Sequence, residues 1–176
     1  GIEYAEKEFG EYPLWLPWVF SGLPSVHSFQ NISDFYFPNA IIKWLKWMGF
    51  PGFWNYILHF ILAGMGVFVL LTQLGTNRLS ALFGGLSFAL MPYLITMVVH
   101  GHGSQMMTTA WLPWVIWAIL RLLDKTNIGN LGILGLIVGL QLQRAHAQIA
   151  YYTWMAGGLL ILLLLCNIHN FKTNKP

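Results

Sequence analysis

Five apolar stretches dominate the sequence and leave little choice of fold. They run from about Trp54 to Leu74, Leu79 to Val99, Gln105 to Leu123, Ile128 to Gln143 and Ile149 to Cys166. A helix crossing a bilayer needs about 20 mostly apolar residues. Only 9% of the chain is charged and 56% is hydrophobic, whereas soluble domains carry roughly 25% charged residues. Mean hydropathy is +0.58. The expected fold is therefore all-α: a polytopic transmembrane helix bundle of about five spans. The breaks Gly75–Arg78, His100–Ser104, Asp124–Asn127 and Arg144–Gln148 are short, so successive helices should be antiparallel neighbours. The net charge of +3 comes from scattered basic residues flanking apolar runs, which argues against a nucleic-acid partner. The single cysteine, Cys166, excludes an intrachain disulfide framework.

Residues 1–53 form a separate unit, expected to be an outer-face loop with interfacial helices. In PNAIIKWLKWMGF, Ile41, Ile42, Leu45 and Met48 recur at helical spacing, with Lys43 and Lys46 on another face. That pattern predicts an amphipathic helix in the headgroup layer with snorkelling lysines, started near Pro38 and stopped near Gly49. Residues 54–166 form the bundle, and 167–176 a basic tail. The polar opening, GIEYAEKEFGEY, reads as part of a longer chain.

Arg78, Arg121, Lys125, Lys172 and Lys175 fall on one side of the spans, while the short breaks of the other side hold only Arg144. The positive-inside rule places the first set in the cytoplasm. The N-terminal segment, HGHGSQ and RAHAQ are then outside, and the C-terminus inside. Pro92 and Pro113 should kink their spans. WLPWV occurs at 15–19 and 111–115 and reads as a recurrent way to start or bend a helix near the interface. Gly84–Gly85, Gly157–Gly158 and the Gly135/Gly139 pair permit close helix approach.

The outer polar groups are the candidate site. HGHGSQ offers His100, His102 and Gln105; RAHAQ offers Arg144, His146 and Gln148; His27 and Asp34 come from the first segment. Two imidazoles at His100 and His102 fall short of the three or four ligands of a zinc site, and His146 is the third that a divalent metal would need. No cofactor is otherwise indicated. The plain reading of HGHGSQ is a polar turn. About 16 residues in the fourth run cover roughly 24 Å against a core near 30 Å, which sets Arg144 below the outer surface. A guanidinium there suits a phosphate, whose oxygens it binds in pairs; the alternative is a snorkelling arginine. His59, about one turn inside the first span, could ligate a haem or pigment or bond another helix.

GEYPLWLPWVFSGLPSVHSFQNISDFYFPN resembles the first outer loop of bacterial YfhO-type membrane proteins. The matching residues are Gly10, Pro13-Leu14-Trp15, Pro17, Gly22-Leu23-Pro24 and Tyr36-Phe37-Pro38, and RAHAQIAYY looks like that family's Gly-His-x-Gln followed by aromatics, with Ala145 for the glycine. The family is similar to the GT-C glycosyltransferases, which take a sugar from a polyprenyl-phosphate carrier at the outer face of the bacterial inner membrane. The resemblance implies a phosphate-holding role for Arg144 and His146 and a catalytic role for a first-loop carboxylate, Asp34 or Glu3. The family's acid lies after a span preceding Pro-Leu-Trp; that span is missing here, and Glu3 is the nearest stand-in. Expected partners are membrane lipids, the carrier and a larger membrane complex. Two other functions fit the same residues: an accessory or scaffold subunit, pigment- or haem-bearing through His59, His100 or His146, and a transporter of lipid-linked sugars.

Overall fold

A computed structural model describes residues 7–8, 10, 15–16, 23–24, 36–144 and 146–166. The elements are β1 (Trp15–Leu16), β2 (Leu23–Pro24), α1 (Asn39–Trp47), α2 (Trp54–Gln73), α3 (Arg78–Ala89), α4 (Pro92–Val99), α5 (Gly103–Thr109), α6 (Leu112–Asp124), α7 (Ile128–Leu142) and α8 (Ala147–Cys166). Four segments are long and apolar enough to cross a membrane: Trp54–Gln73, Arg78–Val99, Gly103–Asp124 and Ala147–Leu164, with Ile128–Leu142 a shorter apolar helix. The fold is an all-α bundle of about five spans, as the hydropathy predicts, and it fits a multi-pass membrane protein.

Local chemistry sets the breaks. α1, α2 and α4 each end on a glycine in the left-handed region, Gly49, Gly75 and Gly101. At the end of α2, Gly75 N–H donates to Thr72 O (3.1 Å) and Thr76 N–H to Leu71 O (3.0 Å); at the end of α4, Gly101 N–H donates to Val98 O (3.1 Å) and His102 N–H to Met97 O (2.7 Å). These are Schellman closures, which satisfy the last carbonyls of a helix and favour glycine at the turn. Asn77 and Asn127 start α3 and α7 by accepting from the backbone N–H of Ser80 and Asn130, both at 2.8 Å. Pro92 opens α4 and splits the second span, since proline lacks the N–H that would continue α3. Pro113 near the start of α6 coincides with the split in the third span.

The spans alternate in direction. Along α2 and α3, Leu71 lies against Gly84, Phe68 against Gly85, and Gly64 against Gly85 and Ala89, so one sequence descends as the other rises. α6 runs with α2: the Trp114 indole donates to Leu62 O (2.9 Å), and Gln73 donates to Asp124 (3.4 Å). α7 returns against α6, tied by Arg121–Asn130 at one end and Gln141 to Thr108 O at the other. The third span is the hub: 56% of its apolar window is buried, against 17–22% for the other long spans. Its neighbours leave Leu79, Phe83, Val99, Leu136 and Leu163 exposed, as a lipid-facing surface requires.

The two copies of WLPWV differ. Trp111–Val115 leads into α6, as expected. Trp15–Leu16 instead forms β1, antiparallel to β2 with Trp15 opposite Pro24 and Leu16 opposite Leu23. A residue before proline is biased toward extended backbone, and Leu16 follows that bias. At Leu112 the bias is overridden, because Trp111 N–H already bonds Thr108 O (3.2 Å) and Val115 N–H bonds Trp111 O (3.0 Å). α1 forms where predicted. Only Ile42 is buried; Ile41, Trp44, Trp47 and Met48 remain exposed, the arrangement of a helix resting in an interface.

Candidate functional site

At the end of the bundle where α2 begins and α7 ends, a buried polar cluster gathers around Tyr36. The Tyr36 side chain, 1% exposed, enters between α2 and the start of α6. His59 Nδ1–H donates to Asn55 O within its own helix (2.7 Å), which leaves Nε2 as the acceptor for the Tyr36 hydroxyl (2.9 Å). The same hydroxyl accepts from the Trp111 indole N–H (3.0 Å). The rings add contact, Tyr36 stacking on His59 at 5.7 Å and meeting Trp111 edge-on at 6.4 Å. Burial pushes the Tyr36 hydroxyl up to about 12, against the lowering effects of the Trp111 bond and the Arg144 charge. It is a neutral phenol that donates once and accepts once.

Arg144 also packs on this ring. Its Cζ is 4.5 Å from the Tyr36 centroid, a cation–π distance. Nη2–H donates to Met107 Sδ (2.8 Å), a weak acceptor. Arg144 is 6% exposed, yet Nε and Nη1 are buried with no hydrogen-bond partner among the described residues. Burial pulls its ionisation below the ordinary arginine range, but a guanidinium remains protonated in proteins. The acids among the described residues are Glu8, which is exposed, and Asp124, bonded to Gln73 at the opposite end. Neither neutralises Arg144. Two acceptors at the same end are also buried and unpartnered, Asn55 Oδ1 in the first turn of α2 and Gln143 Oε1 beside Arg144.

His146 starts α8: its Nδ1 accepts from Ile149 N–H (3.4 Å), so Nε2 carries the proton of the neutral ring. Burial and the nearby His102 lower its titration, partly offset by a backbone hydrogen bond. The HGHGSQ and RAHAQ regions are linked through the Arg144 bond to Met107 of α5. Gly103 makes room for the Tyr56 ring; a Cβ there would stand 2.5 Å from Tyr56 Cε1.

The remaining candidates divide. Gln105 is half-buried in α5 and its carbonyl accepts from the Thr109 hydroxyl (2.8 Å). His100 is exposed and bonds Thr96 O of its own helix (2.9 Å). Gln148 is exposed and donates to the Tyr152 hydroxyl one turn on (2.9 Å). Neither bonds Arg144. Asp34, Glu3 and His27 lie outside the described residues. His59 turns out to hold Tyr36, with both ring nitrogens engaged. Among the described residues, no group of three His, Cys, Asp or Glu side chains could hold a metal ion. In the sequence, Tyr36 stands out only as the start of Tyr-x-Pro and Trp111 only as the start of the second WLPWV, and nothing points to Met107.

The chain matches no family model, no curated protein and no solved structure.

Proposed function

We propose that this is a membrane glycosyltransferase of the GT-C kind, which binds the phosphate of a polyprenyl-linked sugar at the Arg144 end of the bundle. The observation that carries the reading is the buried guanidinium, whose Nε and Nη1 nitrogens have no hydrogen-bond partner among the described residues. A buried charge without a counter-charge costs several kcal/mol, and a phosphate oxygen pair matches the Nε–Nη1 edge. His146 Nε2–H supplies a neutral donor nearby. Asn55 Oδ1 and Gln143 Oε1 lack O–H or N–H donors, which sugar hydroxyls provide. The donors are covered in this arrangement, so binding requires the cover to open.

In the transfer, a first-segment carboxylate, Asp34 or Glu3, removes the proton from an acceptor hydroxyl. The oxygen attacks the anomeric carbon and the bond from that carbon to the phosphate oxygen breaks. The departing phosphate keeps the electron pair, and Arg144 stabilises it. The test is binding of a polyprenyl phosphate to the full-length protein in nanodiscs, with the matching polyprenol as control. Losing a charged hydrogen-bond donor costs about 1.5–3 kcal/mol, so Arg144→Gln should weaken phosphate binding about 10- to 100-fold and leave polyprenol unaffected. Asp34→Asn should keep binding and lose transfer. Unchanged phosphate affinity in Arg144→Gln would sink the proposal.

A second reading rests on α7. Cβ atoms placed at Gly132, Gly135 and Gly139 would meet nothing within 4 Å. That open stripe suits a neighbouring membrane helix, as in a subunit of a larger complex.

A further inference from the structure

The opposite end of the bundle carries a second basic feature that the glycosyltransferase reading does not use. A cleft of about 530 Å³ opens between α2, α6 and the start of α7, within the size range of small-molecule sites. Phe68, Val69 and Trp117 make its apolar wall, and Arg121 and Lys125 stand among its polar lining.

Arg121 is held in place. Its Nε–H donates to Asn130 Oδ1 (2.9 Å), and its Cζ sits 5.4 Å from the Trp117 ring. Asn130 is itself buried and clamped, its Nδ2 donating to Lys125 O (2.6 Å) and Arg121 O (3.3 Å). One side-chain amide thus spends its oxygen on Arg121 and its two N–H groups on the carbonyls that close α6. The guanidinium orientation is fixed before any ligand arrives, which lowers the ordering cost of binding. Asp124 also lines the cleft and takes a bond from Gln73; against it stand two cations, leaving the rim net positive. Trp117 beneath a cation at the end of a span is the interfacial arrangement of membrane proteins.

We infer that this cleft binds an anionic phospholipid, with the headgroup phosphate on Arg121 and Lys125 and the upper acyl chain along Phe68, Val69 and Trp117. An apolar wall below a cationic rim complements a lipid whose charge sits at the top of its chains. Basic pockets between helix ends at the cytoplasmic side are recognised headgroup sites. A soluble anion would use the rim alone.

Native mass spectrometry of the full-length protein, titrated with phosphatidylglycerol, phosphatidylcholine or inorganic phosphate, tests the assignment. One phosphatidylglycerol should be retained in preference to phosphatidylcholine, and inorganic phosphate should not displace it. A basic residue near an anionic surface contributes about fivefold, so Lys125→Gln should weaken retention by roughly that factor and Arg121→Gln by more. The Lys125 carbonyl that holds Asn130 survives its substitution, so Lys125→Gln decides the matter if Arg121→Gln does not fold. Arg144→Gln should leave retention unchanged, which separates this cleft from the Arg144 site. Parent-like retention in Lys125→Gln, equal retention of phosphatidylcholine, or displacement by inorganic phosphate would each overturn the inference.

Discussion

At Arg144 the proposed phosphate-binding role predicts an opposition between stability and function. The Arg144 guanidinium is buried, with Nε and Nη1 idle among the described residues, and Nη2 donates to a thioether. Replacing buried ionic groups with apolar side chains of similar volume is often neutral or stabilising, by about 1–4 kcal/mol. Arg144→Met should therefore raise the thermal midpoint of the ligand-free protein while abolishing phosphate binding, the usual opposition at a site kept for chemistry. Differential scanning fluorimetry in detergent checks it. A clear fall in the midpoint would show that Arg144 serves structure, paired through the first segment rather than waiting for a ligand. The residue types of this site were legible in the sequence, because an arginine and a histidine between apolar runs stand out. Their partners were not. Tyr36 and Trp111 are 75 residues apart, and no local pattern announces that a tyrosine from the loop before α1 will sit on an arginine between α7 and α8.

At the scale of elements, the spans were readable because length and hydropathy alone define them. The predicted start at Gln105 and the observed start of α5 at Gly103 differ by a single choice of turn residue. Both glycines of HGHGSQ look like punctuation, but only Gly101 takes the left-handed backbone, while Gly103 clears space for Tyr56. Which glycines contact a neighbour was also hidden, since a glycine pair has the same appearance whether it packs or lies open. A Cβ on Gly85 would stand 2.6 Å from Gly64 O, whereas one on Gly135 meets nothing within 4 Å. Gly85→Ala should destabilise by about 1–3 kcal/mol, the cost of overpacking, since α2 and α3 must move apart. Gly135→Ala should be neutral or stabilising by up to about 1 kcal/mol in the isolated protein, from helix propensity. A marked loss from Gly135→Ala only in the native membrane, read as altered migration on blue-native gels, would identify α7 as a subunit contact.

For the whole molecule, the two ends differ in how they carry positive charge, and the expected orientation rests on that difference. Arg121 and Lys125 line the cleft at one end, and Arg78 begins the helix after the neighbouring connector. At the other end Arg144 is buried, and Lys43 and Lys46 ride on α1. The positive-inside rule counts chiefly the short connectors beside spans, and by that count Arg78, Arg121 and Lys125 outweigh Arg144. The lysines of α1 belong to the segment before the first described span and weigh less. The structure sharpens the consequence, since the alternating spans put all three cations at one end and the Tyr36–Arg144 cluster at the other. With Cys166 changed to serine, a cysteine at Lys43 should react with a membrane-impermeant maleimide in intact cells, and one at Thr126 should react only after permeabilisation. The opposite pattern would turn the molecule over. Arg144 would then meet carriers from the cytoplasm, the Arg121 cleft would face the outer leaflet, and a transfer reaction fed from outside would lose its site.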